Sequence, residues 1–389
     1  VNTKEIAGCM SDRYERLALT MNGVIKRSKD DSNGLQPEKF ETYQILRPDE
    51  LVFKLIDLQN VSTSRVGLSP YLGLVSPAYI ILKSNKRVLP AFAEKYFLML
   101  WKNQIFNALG DAGVRSNLNS KDLLELSIPF PTFDEQQQIA DFLDRECGKI
   151  DGLKADIQAQ IDTLEQYKRS VITEAVTHGL NPSAPMKDSG IPWVGQFPTH
   201  WTKKKGKYIL RYMSKPVKQD DGVITCFRDG EVTLRSNRRE DGFTMADKEI
   251  GYQGVDVGDL VVHGMDGFAG AIGISDSRGK ASPVLNVLNT KQNKKYIMYY
   301  LRSMAYGEVF TALSTGIRVR SCDLRWNKLA ELLYPLPPID EQNNIVSYID
   351  NQIARTNEII ADKKSQIETL DGYKKSLIYE YVTGKKEVV

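Results

Sequence analysis

The sequence has 389 residues, of which 41% are hydrophobic and 26% are charged, and its formal net charge is +3. One hydrophobic core rarely organises a chain of this length, so two or three domains are expected. No run approaches the roughly 18 apolar residues of a membrane span, the first residues lack a signal-peptide pattern, and the 4 cysteines and 3 histidines lack metal-ligand spacing. The composition favours a cytoplasmic protein without a metal site.

Residues 1–128 are predicted to form the first of two mixed α+β domains. Short β-rich runs at 51–56 and 79–82 alternate with Gly, Asp and Asn turns, and a helical stretch follows at 92–108. The first residue is Val1, so the sequence is expected to be trimmed at its N-terminus.

Residues 129–179 are predicted to form a long helix with a coiled-coil stripe. Its apolar positions fall at seven-residue spacing: Leu143, Ile150, Ile157, Leu164 and Val171. Leu153 and Tyr167 lie near the complementary heptad position and are expected on the same seam. Asp134 is the predicted N-cap, and Gly179 marks the predicted end.

Residues 180–334 are predicted to form the second mixed domain. A linker rich in Pro and Gly comes first, and Trp193 and Trp201 are expected to pack onto the domain that follows. β-rich runs at 223–227 and 260–263 precede a helical stretch at 295–313. The order of elements matches that of the first domain, so both domains are expected to be largely antiparallel.

Residues 335–389 repeat the long-helix segment. Aligned 206 positions apart, residues 129–177 and 335–383 are identical at about 20 of 49 positions, which indicates a duplicated unit. Asp340 takes the place of Asp134 as predicted N-cap. Thr356 and Lys363 interrupt the second seam of this copy, and each long helix is the expected partner of the other.

Charge is divided between the two kinds of segment. Residues 1–128 and 179–333 together carry 40 basic and 30 acidic side chains, whereas the two helical segments carry 12 and 19. A polyanion bound by two basic domains on an acidic helical support would explain this division. Random variation of surface charge remains the alternative.

The chemistry-bearing residues favour recognition over catalysis. The sequence contains neither a P-loop nor a dinucleotide-binding glycine motif, and no paired carboxylates stand out. Basic and amide side chains cluster around one turn in each domain, and such side chains bind base edges and phosphates. The candidate DNA-binding residues are Asn22, Lys26, Arg27, Lys29, Arg65, Arg228, Arg235, Asn237, Arg238 and Arg239.

The arrangement resembles the specificity subunit of type I restriction-modification systems. The resemblance lies in the Pro-rich segments ending in Asp134-Glu135-Gln136 and Asp340-Glu341-Gln342, and in the segment 189–201. It implies two target recognition domains separated by two long helices that form an antiparallel coiled coil, with boundaries at 1–128, 129–179, 180–334 and 335–389.

The resemblance also implies what the chain binds. Each domain would recognise one half of a split target in double-stranded DNA, and the helices would set the spacer and dock two modification subunits. S-adenosylmethionine, ATP and Mg are expected on those partners and on the restriction subunits, with no cofactor bound by this chain. A coiled-coil interaction scaffold without a DNA role and an enzyme with an unrecognised catalytic centre are the alternatives.

Overall fold

The fold is described from a computed structural model of the chain. The description covers residues 1–31, 39–56, 58, 63–109, 118–238, 250–313 and 324–388. Within these ranges, no helix combines the length and the apolar composition of a membrane span. The chain divides into two compact units, called unit 1 (Val1–Gln158 with Lys363–Val389) and unit 2 (Ala159–Asp362).

Unit 1 combines two small sheets with short helices. Its strands are β1 (Arg16–Thr20), β2 (Gly23–Arg27), β3 (Gln44–Leu46), β4 (Leu51–Phe53), β5 (Val66–Leu68), β6 (Gly73–Val75) and β7 (Ile80–Leu82). They form sheets of order β2-β1-β6-β3 and β5-β4-β7, in which only the β1–β6 pairing is parallel among the described residues. The helices are α1 (Pro90–Lys102), α2 (Ile105–Leu109) and α3 (Ser120–Leu124).

Among the described residues, unit 2 has one four-stranded sheet, four two-stranded sheets and a matching set of helices. Its strands are β8 (Met186–Asp188), β9 (Gln196–Pro198), β10 (Thr202–Lys205), β11 (Leu210–Tyr212), β12 (Ile224–Cys226), β13 (Val232–Leu234), β14 (Gln253–Val255), β15 (Leu260–His263), β16 (Ile272–Ile274), β17 (Gly279–Ala281), β18 (Leu285–Thr290) and β19 (Leu333–Leu336). The largest sheet has the order β11-β18-β15-β16 and is antiparallel. Its short helices are α5 (Lys294–Tyr306), α6 (Val309–Ala312) and α7 (Trp326–Glu331).

The two helical stretches predicted at 92–108 and 295–313 are each split in two. Gln104 separates α1 from α2 at a φ of 61°, and Glu308 separates α5 from α6 at a φ of 55°. A left-handed residue cannot continue a right-handed helix, so the chain turns at both points. The sequence pattern alone does not show these breaks because both residues are ordinary helix formers.

Two long helices complete the fold, and each contributes to both units. They are α4 (Phe133–His178), of 46 residues, and α8 (Ile339–Val382), of 44 residues. In unit 1, Lys154 bonds Asp371 at 2.5 Å and Asp151 bonds Lys374 at 2.6 Å. The residue number on α8 falls as the residue number on α4 rises, so the two helices are antiparallel in unit 1. The predicted α+β class with long paired helices is confirmed, whereas the domain boundaries after 128, 179 and 334 stay predictions.

The predicted seam is correct only in part. Leu143, Ile150 and Val171 are buried, but Leu153 and Tyr167 are exposed. The seam prediction was therefore wrong for the latter two, because at 100° per residue they lie beside the buried stripe instead of on it.

The predicted N-caps were also wrong. The helices begin at Phe133 and Ile339, so Asp134 and Asp340 are each the second helical residue. In unit 1 the capping residue is Thr132, whose N–H and hydroxyl both donate to Glu135 at 2.7 Å. The sequence Thr-x-x-Glu is a capping box, in which Thr132 and Glu135 satisfy each other's polar groups at the first turn, whereas Asp134 lies two positions after the cap.

Each unit has a central helix, α1 in unit 1 and α5 in unit 2. This helix packs against both long helices. In unit 1 the core joins Phe97 of α1 with Leu143 of α4 and Leu377 of α8. In unit 2 the core joins Tyr296 of α5 with Val176 of α4 and Ile349 of α8, together with Trp193 and Trp201. The expected packing of both tryptophans onto the second domain is confirmed.

The repeated glutamine of the two Pro-rich segments explains part of the duplication. Gln136 is buried, and its side-chain carbonyl accepts a hydrogen bond from the Leu89 N–H at 2.7 Å, directly before α1. Gln342 is buried in the same way, and its carbonyl accepts from the Asn293 N–H at 3.0 Å, directly before α5. In both units this glutamine ties the start of a long helix to the start of the central helix.

Candidate nucleic-acid interface

In unit 2, three of the predicted arginines meet at one concave surface. The hairpin of β12 and β13 turns through Phe227 and Gly230, and Gly230 adopts a φ of 92° that favours glycine. The concavity beside it has a volume of about 620 Å³, and Arg228, Arg235 and Arg238 all line it. Arg228 lies in the turn, and Arg235 and Arg238 follow β13. All three guanidinium groups therefore belong to the same concavity.

These arginines are held by local partners. Arg238 lies 4.2 Å over the Phe227 ring and bonds Asp229 at 2.7 Å and Glu231 at 2.9 Å. The hydrogen bond to Asp229 raises the pKa of Arg238 above its ordinary value. Arg228 bonds Asp266 at 2.9 Å. A bound base or phosphate would compete with these carboxylates for the guanidinium groups.

The same concavity contains polar groups that the sequence did not single out. His263 and Asp266 line it, and burial lowers the pKa of His263 below its ordinary value of 6.5. The Nδ1 atom of His263 accepts a hydrogen bond from the Asp266 N–H at 2.9 Å, so this nitrogen carries no proton. Guanidinium donors and carboxylate acceptors lie side by side here, and base edges in a major groove present both kinds of group.

The remaining unit 2 candidates lie outside this concavity or outside the description. Asn237 lies two residues after Arg235, is exposed, and donates its side-chain amide to the Thr233 hydroxyl at 2.9 Å. Arg239 lies outside the described residues.

In unit 1, the candidates are divided between the two ends of one hairpin. Lys26, Arg27 and Lys29 line a concavity of about 560 Å³ at the open end of β1 and β2. Asn22 lies in the turn at the other end, about 16 Å away along five residues of strand. The structure therefore does not bring Asn22 together with the basic side chains.

The basic groups of unit 1 also have local partners. Lys26 bonds Glu15 at 2.7 Å, and this bond raises the pKa of Lys26. Arg27 bonds Asp31 at 2.6 Å, and the Lys29 ammonium donates to the Ser11 carbonyl at 2.8 Å. These contacts orient the side chains on the rim of the concavity.

The structure adds two arginines to this surface. Arg13 and Arg16 line the same concavity as Lys26 and Arg27. Strand pairing places Arg16 directly opposite Arg27 although eleven positions separate them. The turn pattern at residues 22–29 does not predict a role for Arg13 or Arg16. Only the register of the hairpin brings β1 and β2 together.

Arg65 requires a correction as a surface candidate. Its side chain is fully buried, and its carbonyl accepts a hydrogen bond from the Lys54 N–H at 3.0 Å. A side chain without exposed surface offers no atom to a base edge in this conformation. The pairing of β4 with β5 turns this residue inward, which its position in a polar stretch did not indicate.

This chain is similar in sequence and in fold to proteins of type I restriction-modification systems. The family model described as the type I restriction modification DNA specificity domain matches residues 56–163. A putative type I restriction enzyme MjaX specificity subunit of Methanocaldococcus jannaschii is 24% identical over 330 residues, which cover 79% of this chain and 71% of that protein. The StySPI specificity subunit of Salmonella potsdam is 19% identical over 388 residues, covering 91% and 81%.

One solved structure, from a study of complex assembly and conformational transition of the type I R-M system, has the same fold. It superposes with a TM-score of 0.66 at 12% identity and covers 98% of this chain and 94% of that chain. The sequence relatives and this solved structure each cover most of the chain. The chain is therefore similar to type I restriction enzyme specificity subunits over most of its length.

Proposed function

We propose that this protein recognises a split, asymmetric sequence in double-stranded DNA, with each unit binding one half of the target. The observation that supports this most directly is that both units present a basic concavity beside a glycine-containing hairpin, while the residues at the two concavities differ. Two identical surfaces would suit a palindrome, whereas two unlike surfaces suit two unlike half-sites.

The long helices would set the distance between the half-sites. Each of them contributes residues to both units, so a change in helix length changes the chain that joins the two candidate surfaces. The acidic character of the helices fits this role, because a support that repels phosphates leaves DNA binding to the basic concavities.

The same proposal assigns the chemistry to partner subunits. Two modification subunits would dock on the helices and bring S-adenosylmethionine for methylation, and restriction subunits would bring ATP and Mg for cleavage. This chain would act as the non-catalytic recognition subunit, in the cytoplasm where its target lies. Its sequence offers no catalytic motif to carry either reaction.

The scaffold alternative makes a different prediction for DNA. A scaffold without a DNA role would bind duplexes weakly or not at all, at any salt concentration. The proposed function requires binding that weakens steeply as salt rises, because phosphate contacts release condensed counterions. Titration of a duplex library with the purified chain at two salt concentrations distinguishes the two.

Methylome sequencing of cells with and without this protein tests the proposal directly. The expected result is one bipartite motif that loses methylation in its absence. Replacement of residues 1–128 by the matching domain of a relative should alter one half of that motif and leave the other half unchanged. A motif that stays intact in either experiment would contradict the assignment.

A further inference from the structure

A second concavity of unit 2 lies directly beside the arginine-lined one. It has a volume of about 860 Å³, and its walls include α4, α5, α8 and the turn between β12 and β13. Arg228 and Asp229 of that turn line both concavities. A duplex bound at the turn would therefore also approach this second space, here called the α5 cleft.

Two arginines of the α5 cleft share one tyrosine ring. The guanidinium carbon of Arg169, on α4, lies 5.4 Å from the centre of the Tyr306 ring, and that of Arg302, on α5, lies 5.7 Å from it. The Nε atom of Arg302 also donates to the Tyr306 hydroxyl at 2.8 Å. Because the face of an aromatic ring attracts a cation, the ring orders both guanidinium groups without neutralising their charge.

Neither arginine forms an ion pair within the part of the chain that the structure describes. Arg302 is half-buried and donates to two neutral oxygens, the Tyr306 hydroxyl and the Asp229 carbonyl, the latter at 2.7 Å. Arg169 is exposed on the surface of α4. Both guanidinium groups therefore keep donors for an anion that enters the cleft.

Most carboxylates of the α5 cleft are already used by other cations. Glu165 bonds Lys168 at 2.8 Å, and Asp229 bonds Arg238 at 2.7 Å. Among the described lining residues the remaining carboxylate is Glu308, which is exposed. Two guanidinium groups without an ion pair thus face one such carboxylate, and this excess of positive charge favours an anionic ligand.

The arrangement is not a consequence of the internal duplication. The central helices α1 and α5 both have 13 residues, and aligning their first residues places Leu98 at the position of Arg302 and Lys102 at that of Tyr306. The described helix α1 therefore lacks both residues. If Arg302 and Tyr306 served the packing of a central helix on the long helices, α1 would need them too.

We propose that Arg169 and Arg302 bind a phosphodiester group of the DNA backbone next to the half-site that unit 2 recognises. This inference rests on the proposed function, which supplies the duplex, and it adds a contact that positions the DNA without reading a base. The planar guanidinium group matches the geometry of phosphate oxygens. Contacts of this kind fix the register of a protein on the duplex, so that the arginines of the neighbouring concavity meet the correct base edges.

The salt dependence of duplex binding tests this contact. Arg169→Gln should weaken binding of the target duplex and of an unrelated duplex by the same factor, about threefold to tenfold. The slope of log K against log salt concentration should become less negative by about 0.9, the value for one phosphate of B-DNA. Base preference on a randomised duplex library should stay unchanged. Arg169→Lys keeps the charge and should recover most of the slope.

Arg355→Gln is the matched control, because Arg355 is an exposed arginine of α8 in unit 2 that does not line the α5 cleft. It should keep the affinity and the salt slope of the wild-type chain. Glutamine favours helix and both positions are exposed, so both variants should fold. A slope that changes equally in both variants would show a general effect of charge and overturn the assignment.

Duplexes with a single neutral methylphosphonate linkage locate the contact. The wild-type chain should lose affinity when the neutral linkage lies beside the unit 2 half-site, whereas Arg169→Gln should lose nothing further at the same linkage. If every linkage weakens both proteins equally, Arg169 contacts no phosphate and the proposal is wrong. A base preference altered by Arg169→Gln would instead indicate that this side chain holds the turn in place, and would also contradict the proposal.

Titration with ATP covers the other source of phosphate groups. If ATP binds the wild-type chain but not Arg169→Gln, and the methylphosphonate duplexes show no difference, the cleft binds free nucleotides and the assignment to DNA is wrong. If the wild-type chain shows no sequence preference for any duplex, the proposed function fails. If it shows a preference but Arg169→Gln keeps the wild-type slope, the phosphate contact fails alone.

Discussion

The side-chain carbonyl of Gln136 accepts a hydrogen bond from the Leu89 N–H at 2.7 Å, which joins the first turn of α4 to the start of α1. The amide of the same side chain donates to the Pro131 carbonyl at 3.0 Å. Both of its polar atoms are thus used inside the protein, and the repeat places an equivalent glutamine at the corresponding point of unit 2.

Replacement of this glutamine is expected to destabilise the protein. Gln136→Leu would leave the Leu89 N–H and the Pro131 carbonyl without their partner, which costs about 1–3 kcal/mol for a buried group. Gln137→Leu is the control, because Gln137 is exposed and donates only to Asp141 on the same helix among the bonds found for it. Urea denaturation of the two variants measures the difference, and equal midpoints would contradict this role.

Arg238 is expected to contribute to recognition of one half-site. Arg238→Gln should weaken binding of the specific duplex by about 1–3 kcal/mol and relax the base preference at one position. Arg145→Gln on α4 is the control, because Arg145 bonds Glu146 on the helix surface and lies far from either concavity in sequence. Binding assays on a randomised duplex library give both affinity and preference. An unchanged preference with a uniformly lower affinity would instead assign Arg238 to a phosphate.

Gly152→Ala is expected to stabilise unit 1. Gly152 lies inside α4, and a Cβ added there meets no atom within 4 Å. Glycine in a helix interior costs about 1 kcal/mol relative to alanine, so the free energy of unfolding should rise by up to that amount. Gly230→Ala is the contrasting variant, because its φ is 92° and a Cβ would meet Arg302. Thermal denaturation should move the two melting temperatures in opposite directions.

Longer helices are expected to lengthen the spacer of the DNA target. One extra turn of four residues after 158 in α4 and after 362 in α8 adds about 6 Å, close to two base pairs at 3.4 Å each. The methylated motif should keep both half-sites and gain about two positions between them. Four residues inserted after Pro182, in the exposed linker, should leave the motif unchanged. If the number of positions between the half-sites stays the same in the lengthened variant, the proposed role of the helices is wrong.

The Asp221–Arg278 pair predicts a loss of stability at low pH. Hydrogen bonds from Arg278, at 2.7 and 3.0 Å, lower the pKa of Asp221 from 3.8 to about 2. A carboxyl with a depressed pKa in the folded state contributes stability above pH 3.8 and loses it as the pH falls towards 2. The melting temperature of Asp221→Asn should therefore fall less steeply between pH 4 and pH 2 than that of wild type. Parallel curves would show that the pair contributes nothing.

The sequence by itself determined the duplication, the two long helices and the division of charge. Heptad spacing and a repeat of 206 positions can be recognised from the order of residues alone. Neither requires knowledge of the tertiary structure. The capping and seam predictions failed at Asp134 and Leu153 because both depend on one or two residues of helix phase, which a pattern spread over forty residues does not resolve.

Only the tertiary structure decided which side chains share a surface. Strand register brings Arg16 opposite Arg27 and sends Arg65 into the core, while the hairpin separates Asn22 from Lys26. The pairing of α4 with α8 likewise places Leu153 level with Tyr373, although they lie 220 positions apart in the chain. Contacts of this kind arise from the burial of apolar faces between distant segments, and no local spacing encodes which distant segment will be the partner.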